Sequence, residues 1–121
     1  MGTACVYAAG SESLAILEML VRARSRLVAR HYCLFEARLP EKSVLYLKGL
    51  PDDWRAMPLE TAEIGDAWLG SGGSLALAVP SAIVPREKMY LLNPSHAGFK
   101  QLAKKAKILP FEFDPRLHGP L

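Results

Sequence analysis

Four residues of this 121-residue chain have types and settings suited to chemistry. Ser81 follows Pro80 directly in LALAVPSAIVP, so a small hydroxyl is held between Pro80 and Pro85. Glu18 is a carboxylate embedded in the apolar stretch AILEML, Tyr7 sits in ACVYAA, and Asn93 opens the turn sequence NPSH. Each has a plain structural reading beside the functional one. Ser81 either caps a turn or offers its hydroxyl at a strand end, where scaffolds present functional groups. Glu18 either pairs with Arg22 one turn later, for a few tenths of a kcal/mol, or lines a cleft beside the strand of Tyr7.

The common catalytic signatures are missing. There is no GxxxxGK loop and no GxGxxG after a strand. The GSGG run at 70–73 precedes a strand, which makes it a poor phosphate cradle. His31, His96 and His118 are scattered, and no zinc spacing occurs. GxSxG is absent as well. Two cysteines, Cys5 and Cys33, are too few for a disulfide scaffold.

These residues have to be positioned by ordinary globular elements. Half the residues are hydrophobic and 22% are charged, which is a folded and not a disordered composition. The length is that of one domain, taken as 1–121 with 118–121 as a tail. No apolar run reaches the ~20 residues of a membrane span. The N-terminus lacks the basic start of a secretory signal, so a cytoplasmic location is expected. The net charge of +3 is mild. The clusters Arg22, Arg24, Arg26, Arg30 and Lys100, Lys104, Lys105, Lys107 lack interleaved aromatics. They read as solvated helix faces or as docking surface for an acidic partner, and nucleic-acid binding has only charge in its favour.

Residues 4–9 read as a strand that Gly10 ends, and Ser11 or Ser13 can cap the next helix, with Glu12 suited to its first turn. That helix is expected to run to Arg24, with Ile16, Leu17 and Leu20 on its core face. Glu18 then shares a mixed face with Ser11, Leu14, Ala15, Val21, Arg22 and Ser25. Residues 31–39 alternate as a strand, and 43–47 form another. Residues 50–58 form a loop between prolines, with Trp54 as its anchor, and 59–69 form a helix packed through Ala62, Ile64, Ala67 and Trp68. Strands follow at 75–79 and 89–92. A helix at 97–105 capped by Ser95 and a last strand at 108–113 close the chain.

The blocks VYAAGSESLAILEML, LPDDWRAMP, IGDAWLGSG, VPSAIVP, YLLNPSH and FEFDPRL, in this order, resemble the RES domain family, the toxins of Xre–RES toxin–antitoxin modules. The resemblance runs from Gly2 to Leu117. It implies a compact α+β fold similar to that of ADP-ribosyltransferases, with a mixed or antiparallel sheet and a few helices. It also implies an NAD-consuming enzyme, acting by hydrolysis, phosphorolysis or ADP-ribosyl transfer, with NAD as substrate and no cofactor or metal. Glu18 and Ser81 match the glutamate and serine of the family name, Tyr7 its active-site tyrosine, and Asn93 and His96 its NPxH turn. Glu18, Ser81 and Tyr7 are thereby expected to be catalytic and to line one pocket. Ser11, Asn93 and Arg22 are expected to bind substrate. The implied partner is an Xre-family helix-turn-helix antitoxin, with homo-oligomerisation inside the complex and no direct contact with nucleic acid or membrane.

The family arginine belongs to a GxRW-type segment ahead of the Tyr7 strand, and nothing before Tyr7 is basic here. Met89 stands where asparagine is common, and Ala97 and Gly98 where Pro-Asp is common. A second expectation therefore stands beside the first: a truncated or degenerate domain that binds antitoxin and turns over NAD poorly.

Overall fold

The computed structural model describes residues 6–22, 33–50, 52–56, 58–112, 114 and 116, and within these no side chain is described at 22, 55 or 58–62. The long apolar stretches become the two inner strands of a mixed four-stranded sheet. In chain order the elements are β1 (Val6–Ala9), α1 (Glu12–Arg22), β2 (Leu34–Glu36), β3 (Val44–Tyr46), α2 (Pro58–Ser71), β4 (Ala76–Pro80), β5 (Lys88–Leu92), α3 (Phe99–Lys105) and β6 (Lys107–Leu109). The sheet order is β1-β5-β4-β3, and β2 pairs with β6 in a separate antiparallel ribbon. The architecture is α+β, as expected. β5 runs antiparallel to both β1 and β4. β3 and β4 are parallel, which requires a crossover, and α2 lies within it.

Burial follows strand position. Ala76, Leu77 and Ala78 on β4 are all buried, because an inner strand with both faces covered has no polar side. The register puts Tyr7, Leu91, Leu77 and Leu45 in one row across the sheet. Trp68 and Leu69 of α2 cover the central pair, Leu77 and Leu91. The two edge members, Tyr7 and Leu45, are each 53% exposed. On the other face, Leu102 of α3 packs with Leu75, Ala76 and Leu92, flanked by Phe99, Val44 and Tyr90.

The turns follow from local chemistry. Pro80 takes the last place in the β4–β5 ladder, opposite Lys88, where its missing N–H costs least. Gly72 has φ +63, a left-handed conformation that glycine adopts without a Cβ penalty, and it ends α2. The Trp68 indole N–H donates to Ser74 Oγ at 2.7 Å, which ties this helix end to the start of β4.

Several sequence expectations are corrected. Leu14, placed above on the mixed face of α1, is its fully buried residue, whereas Leu17 is exposed. Ser95 does not cap α3. The helix starts after Gly98, with no side-chain cap. β6 covers 107–109 and stops before Pro110. The β2 strand is three residues long, and its expected start at His31 and Tyr32 lies outside the described residues, as do Arg24 and the 118–121 tail. No helix among the described residues is long and apolar enough to cross a membrane.

Candidate active site

α1 starts where β1 stops, and this strand–turn–helix positions the first site residues. The Gly10 N–H donates to the Lys88 carbonyl at 3.0 Å, extending the β1–β5 ladder by one bond. A Cβ at Gly10 would lie 3.3 Å from that carbonyl oxygen and 3.4 Å from the Tyr90 ring, so the close approach suits glycine. Ser11 then caps the helix, its Oγ accepting the Leu14 N–H at 3.1 Å. The same hydroxyl donates to Glu87 Oε1 at 3.3 Å.

Beside this corner lies a cavity of about 850 Å³, within the range of small-molecule sites. Its walls are β1, α1, the β2–β6 ribbon, α3 and the sheet face carrying Tyr90 and Leu92. Tyr7, Ser11 and Glu18 all line it. Glu18 is half-buried. Tyr7 borders the cavity from the edge strand, although the pleat puts its side chain on the Leu91 side of the sheet. Arg22 closes α1 four residues beyond Glu18, and its side chain is outside the description.

Ser81 and Asn93 do not line this cavity. Ser81 is completely buried. Its Oγ accepts the N–H groups of Ile83 at 3.1 Å and Val84 at 3.0 Å. Its own N–H donates to the Glu87 carbonyl at 2.9 Å. Ser81 therefore organises the 81–87 turn, and Glu87 links that turn to Ser11. Asn93 is 5% exposed and accepts the Ser95 N–H on Oδ1 at 3.0 Å. His96 Nδ1 accepts the Gly98 N–H at 3.0 Å. The NPSH stretch thus braces the approach to α3.

Sequence reasoning missed the opposite end of the cavity. Tyr46 and Glu41 both line it, and the Tyr46 hydroxyl donates to Glu41 Oε1 at 3.2 Å. The Glu41 carboxylate beside it raises the Tyr46 phenol above its ordinary value, because a phenolate next to a carboxylate is disfavoured. The signal was present in the strand reading of 43–47, but which face Tyr46 takes depends on its pairing with β4. The lining contains Glu12, Glu18, Glu36 and Glu41 and, among the described residues, no lysine or arginine. No group of His, Cys, Asp and Glu among the described residues is arranged to hold a metal ion.

A carboxylate at a strand–helix corner, beside an aromatic-walled cavity, suits the binding of a polyhydroxylated, ring-bearing substrate. Residues 1–114 match the RES domain, and the chain belongs to that family. It is 39% identical over 120 residues to a protein named Toxin Res from Yersinia enterocolitica, covering 96% of this chain and 79% of that protein. A Toxin Res from Photorhabdus laumondii is 38% identical over 121 residues, covering 97% of this chain and 78% of its own length. A protein of Sphingobium named Prs ADP-ribosylating toxin is 35% identical over 124 residues, covering 97% and 76%.

Proposed function

We propose that this chain is the NAD-cleaving domain of a toxin, held in check by an Xre-type helix-turn-helix antitoxin. The observation that carries this reading is the placement of Glu18, half-buried on α1, in one cavity with Ser11 and the β1 edge strand. The toxin names of its relatives support it. In the reaction the C1′–N bond of the nicotinamide riboside breaks and nicotinamide leaves with the bonding pair. The ribose passes through an oxocarbenium-like state, as in glycoside cleavage. Glu18 accepts hydrogen bonds from the ribose hydroxyls and stabilises the positive charge that develops. The edge strand β1 at Tyr7 borders the nicotinamide end of the cavity. Water, phosphate or a protein nucleophile then attacks C1′ and gives up its proton. Ser81 and Asn93 support the surrounding turns.

A second reading, a domain that binds antitoxin without turning over NAD, is favoured by the charge of the cavity. Its described lining offers four glutamates and no cation to a pyrophosphate. Nicotinamide release from NAD, followed by chromatography, separates the two. The first reading expects release that falls at least a hundredfold in Glu18→Gln with the fold intact, in the range of lost transition-state stabilisation. Arg22→Ala reports whether that residue supplies the phosphate contact, through a rise in KM of about tenfold. Co-purification with a helix-turn-helix partner and no nicotinamide release from any form would establish the second reading.

A further inference from the structure

The cavity has a second polar end, at the sheet edge opposite β1. Glu41 begins the 3-10 turn Glu41–Ser43, and Tyr46 is the last residue of β3. The turn is braced at Pro40, whose carbonyl accepts both the Ser43 N–H at 2.9 Å and the Ser43 hydroxyl at 2.6 Å. Tyr46 holds Glu41 Oε1 at 3.2 Å. Among the described residues, no donor is seen at Oε2. Ala8, Tyr90, Ala78 and Tyr46 form one row across the sheet, so Tyr46 and β1 lie at opposite edges. Three strand spacings separate those edges, about 14 Å. A dinucleotide with its reacting ribose on the β1–α1 side of the cavity places its other nucleoside toward the β3 edge.

We propose that Glu41 and Tyr46 form a subsite for the adenosine end of a dinucleotide, in which Glu41 accepts the ribose hydroxyls and rejects a 2′-phosphate. The proposal rests on reading this cavity as the NAD site. A carboxylate hydrogen-bonds a free 2′-hydroxyl and repels a phosphate in its place, the logic by which acidic residues select NAD over NADP in other folds. Tyr46 fixes the carboxylate through Oε1, and its ring, with that of Tyr90, gives the nucleoside an aromatic wall. Both Glu41 and Tyr46 are exposed at the cavity rim, so the selectivity expected is about tenfold, the low end for a charge-assisted bond.

The test measures binding of ADP-ribose and of 2′-phospho-ADP-ribose by calorimetry, with nicotinamide release from nicotinamide mononucleotide measured in parallel. The full chain is compared with Glu41→Gln, Glu41→Arg and Tyr46→Phe, each checked for folding by circular dichroism. The expected result is about tenfold tighter binding of ADP-ribose by the unaltered chain, a preference lost in Glu41→Gln and reversed in Glu41→Arg. Equal binding of the two probes, a preference unmoved by both Glu41 variants, or no binding of either probe overturns the subsite. Cleavage of the mononucleotide without ADP-ribose binding sinks the subsite and keeps the glycohydrolase reading. Glu41-dependent ADP-ribose binding without cleavage of mononucleotide or NAD keeps the subsite and sinks that reading.

Discussion

Replacing Ser81 with alanine should cost stability before it costs chemistry. The substitution removes one oxygen from a completely buried site, so it leaves almost no new cavity. It takes away the acceptor of two backbone N–H groups, those of Ile83 and Val84. Each hydrogen bond contributes about 0.5–1.5 kcal/mol net, and a donor left buried without a partner costs about 1–3 kcal/mol. Ile83 and Val84 are half-buried, so water recovers part of the loss, and the expected total is about 2 kcal/mol. With a urea dependence of roughly 1.5 kcal/mol per molar, the unfolding midpoint should fall by about 1–1.5 M. The thermal midpoint should fall by roughly 6–12 °C for a chain of this size. Equilibrium unfolding followed by far-ultraviolet circular dichroism measures both. Nicotinamide release by the folded fraction should fall much less than it does in Glu18→Gln. An unchanged unfolding midpoint together with abolished nicotinamide release would refute this reasoning, because the hydroxyl would then be acting on the substrate.

Leu14→Ala should destabilise the fold by about 2–5 kcal/mol, the cost of emptying a fully buried leucine site, in the same denaturation assay; Val21→Ala on the same helix, 69% exposed, should stay within about 0.5 kcal/mol. The Asp114 carboxyl is held at about 2 by its hydrogen bonds to the Arg116 side chain and backbone. Because that value lies below the ordinary one, the interaction is present above pH ~3.8 and is lost as pH falls through about 2; a carboxyl NMR titration of Arg116→Ala should move Asp114 back up. Glu41→Gln should bring the Tyr46 phenol down toward its ordinary value, seen in a phenolate absorbance titration, since Glu41 is the largest cause of the upward shift.

What was legible in the sequence was whatever a run of neighbours decides. β4 and β5 are apolar on both faces, and the breakers Pro80 and Asn93–Pro94 bound them, so their place inside the sheet could be read directly. The Ser11 cap was also legible, because a serine after a strand-ending glycine needs only its own helix to act. The core face of α1 was not. The helix carries more than one apolar stripe, and only the packing around it decides that Leu14 is buried while Leu17 and Val21 face solvent. The start of α3 was misplaced because Asn93 Oδ1 takes the Ser95 N–H, which turns that serine into part of a preceding turn. In the site, Tyr7, Ser11 and Glu18 lie close together in the chain, and one strand–helix corner brings Ser11 and Glu18 to the cavity beside the strand that carries Tyr7. Ser81 depends on sheet order. β5 stands between β1 and β4, so Ser81 ends up behind that corner and is linked to it through the turn by Glu87 and Ser11. Tyr46 and Glu41 depend on the parallel β3–β4 register, which no local pattern carries.

The charge of the cavity and the charge of the chain point in opposite directions. The chain carries a net +3, yet the described cavity lining holds four glutamates and no lysine or arginine. Such a lining favours the parts of a dinucleotide that donate hydrogen bonds or carry positive charge, namely the ribose hydroxyls and the nicotinamidium ring, and opposes the pyrophosphate between them. On the proposed reading, this asymmetry suits bond cleavage at the nicotinamide ribose, because the positive charge moves from ring to ribose on the Glu18 side of the cavity. The cost falls on ground-state binding of the phosphates, and a guanidinium offsets it best, through paired contacts to phosphate oxygens. In the sequence, Arg22, Arg24, Arg26 and Arg30 begin one helical turn after Glu18. On the proposed reading, an arginine of this run would supply that contact. Effects confined to KM in arginine variants, set against effects on kcat in Glu18 variants, express that division of labour between binding the phosphates and stabilising the ribose cation.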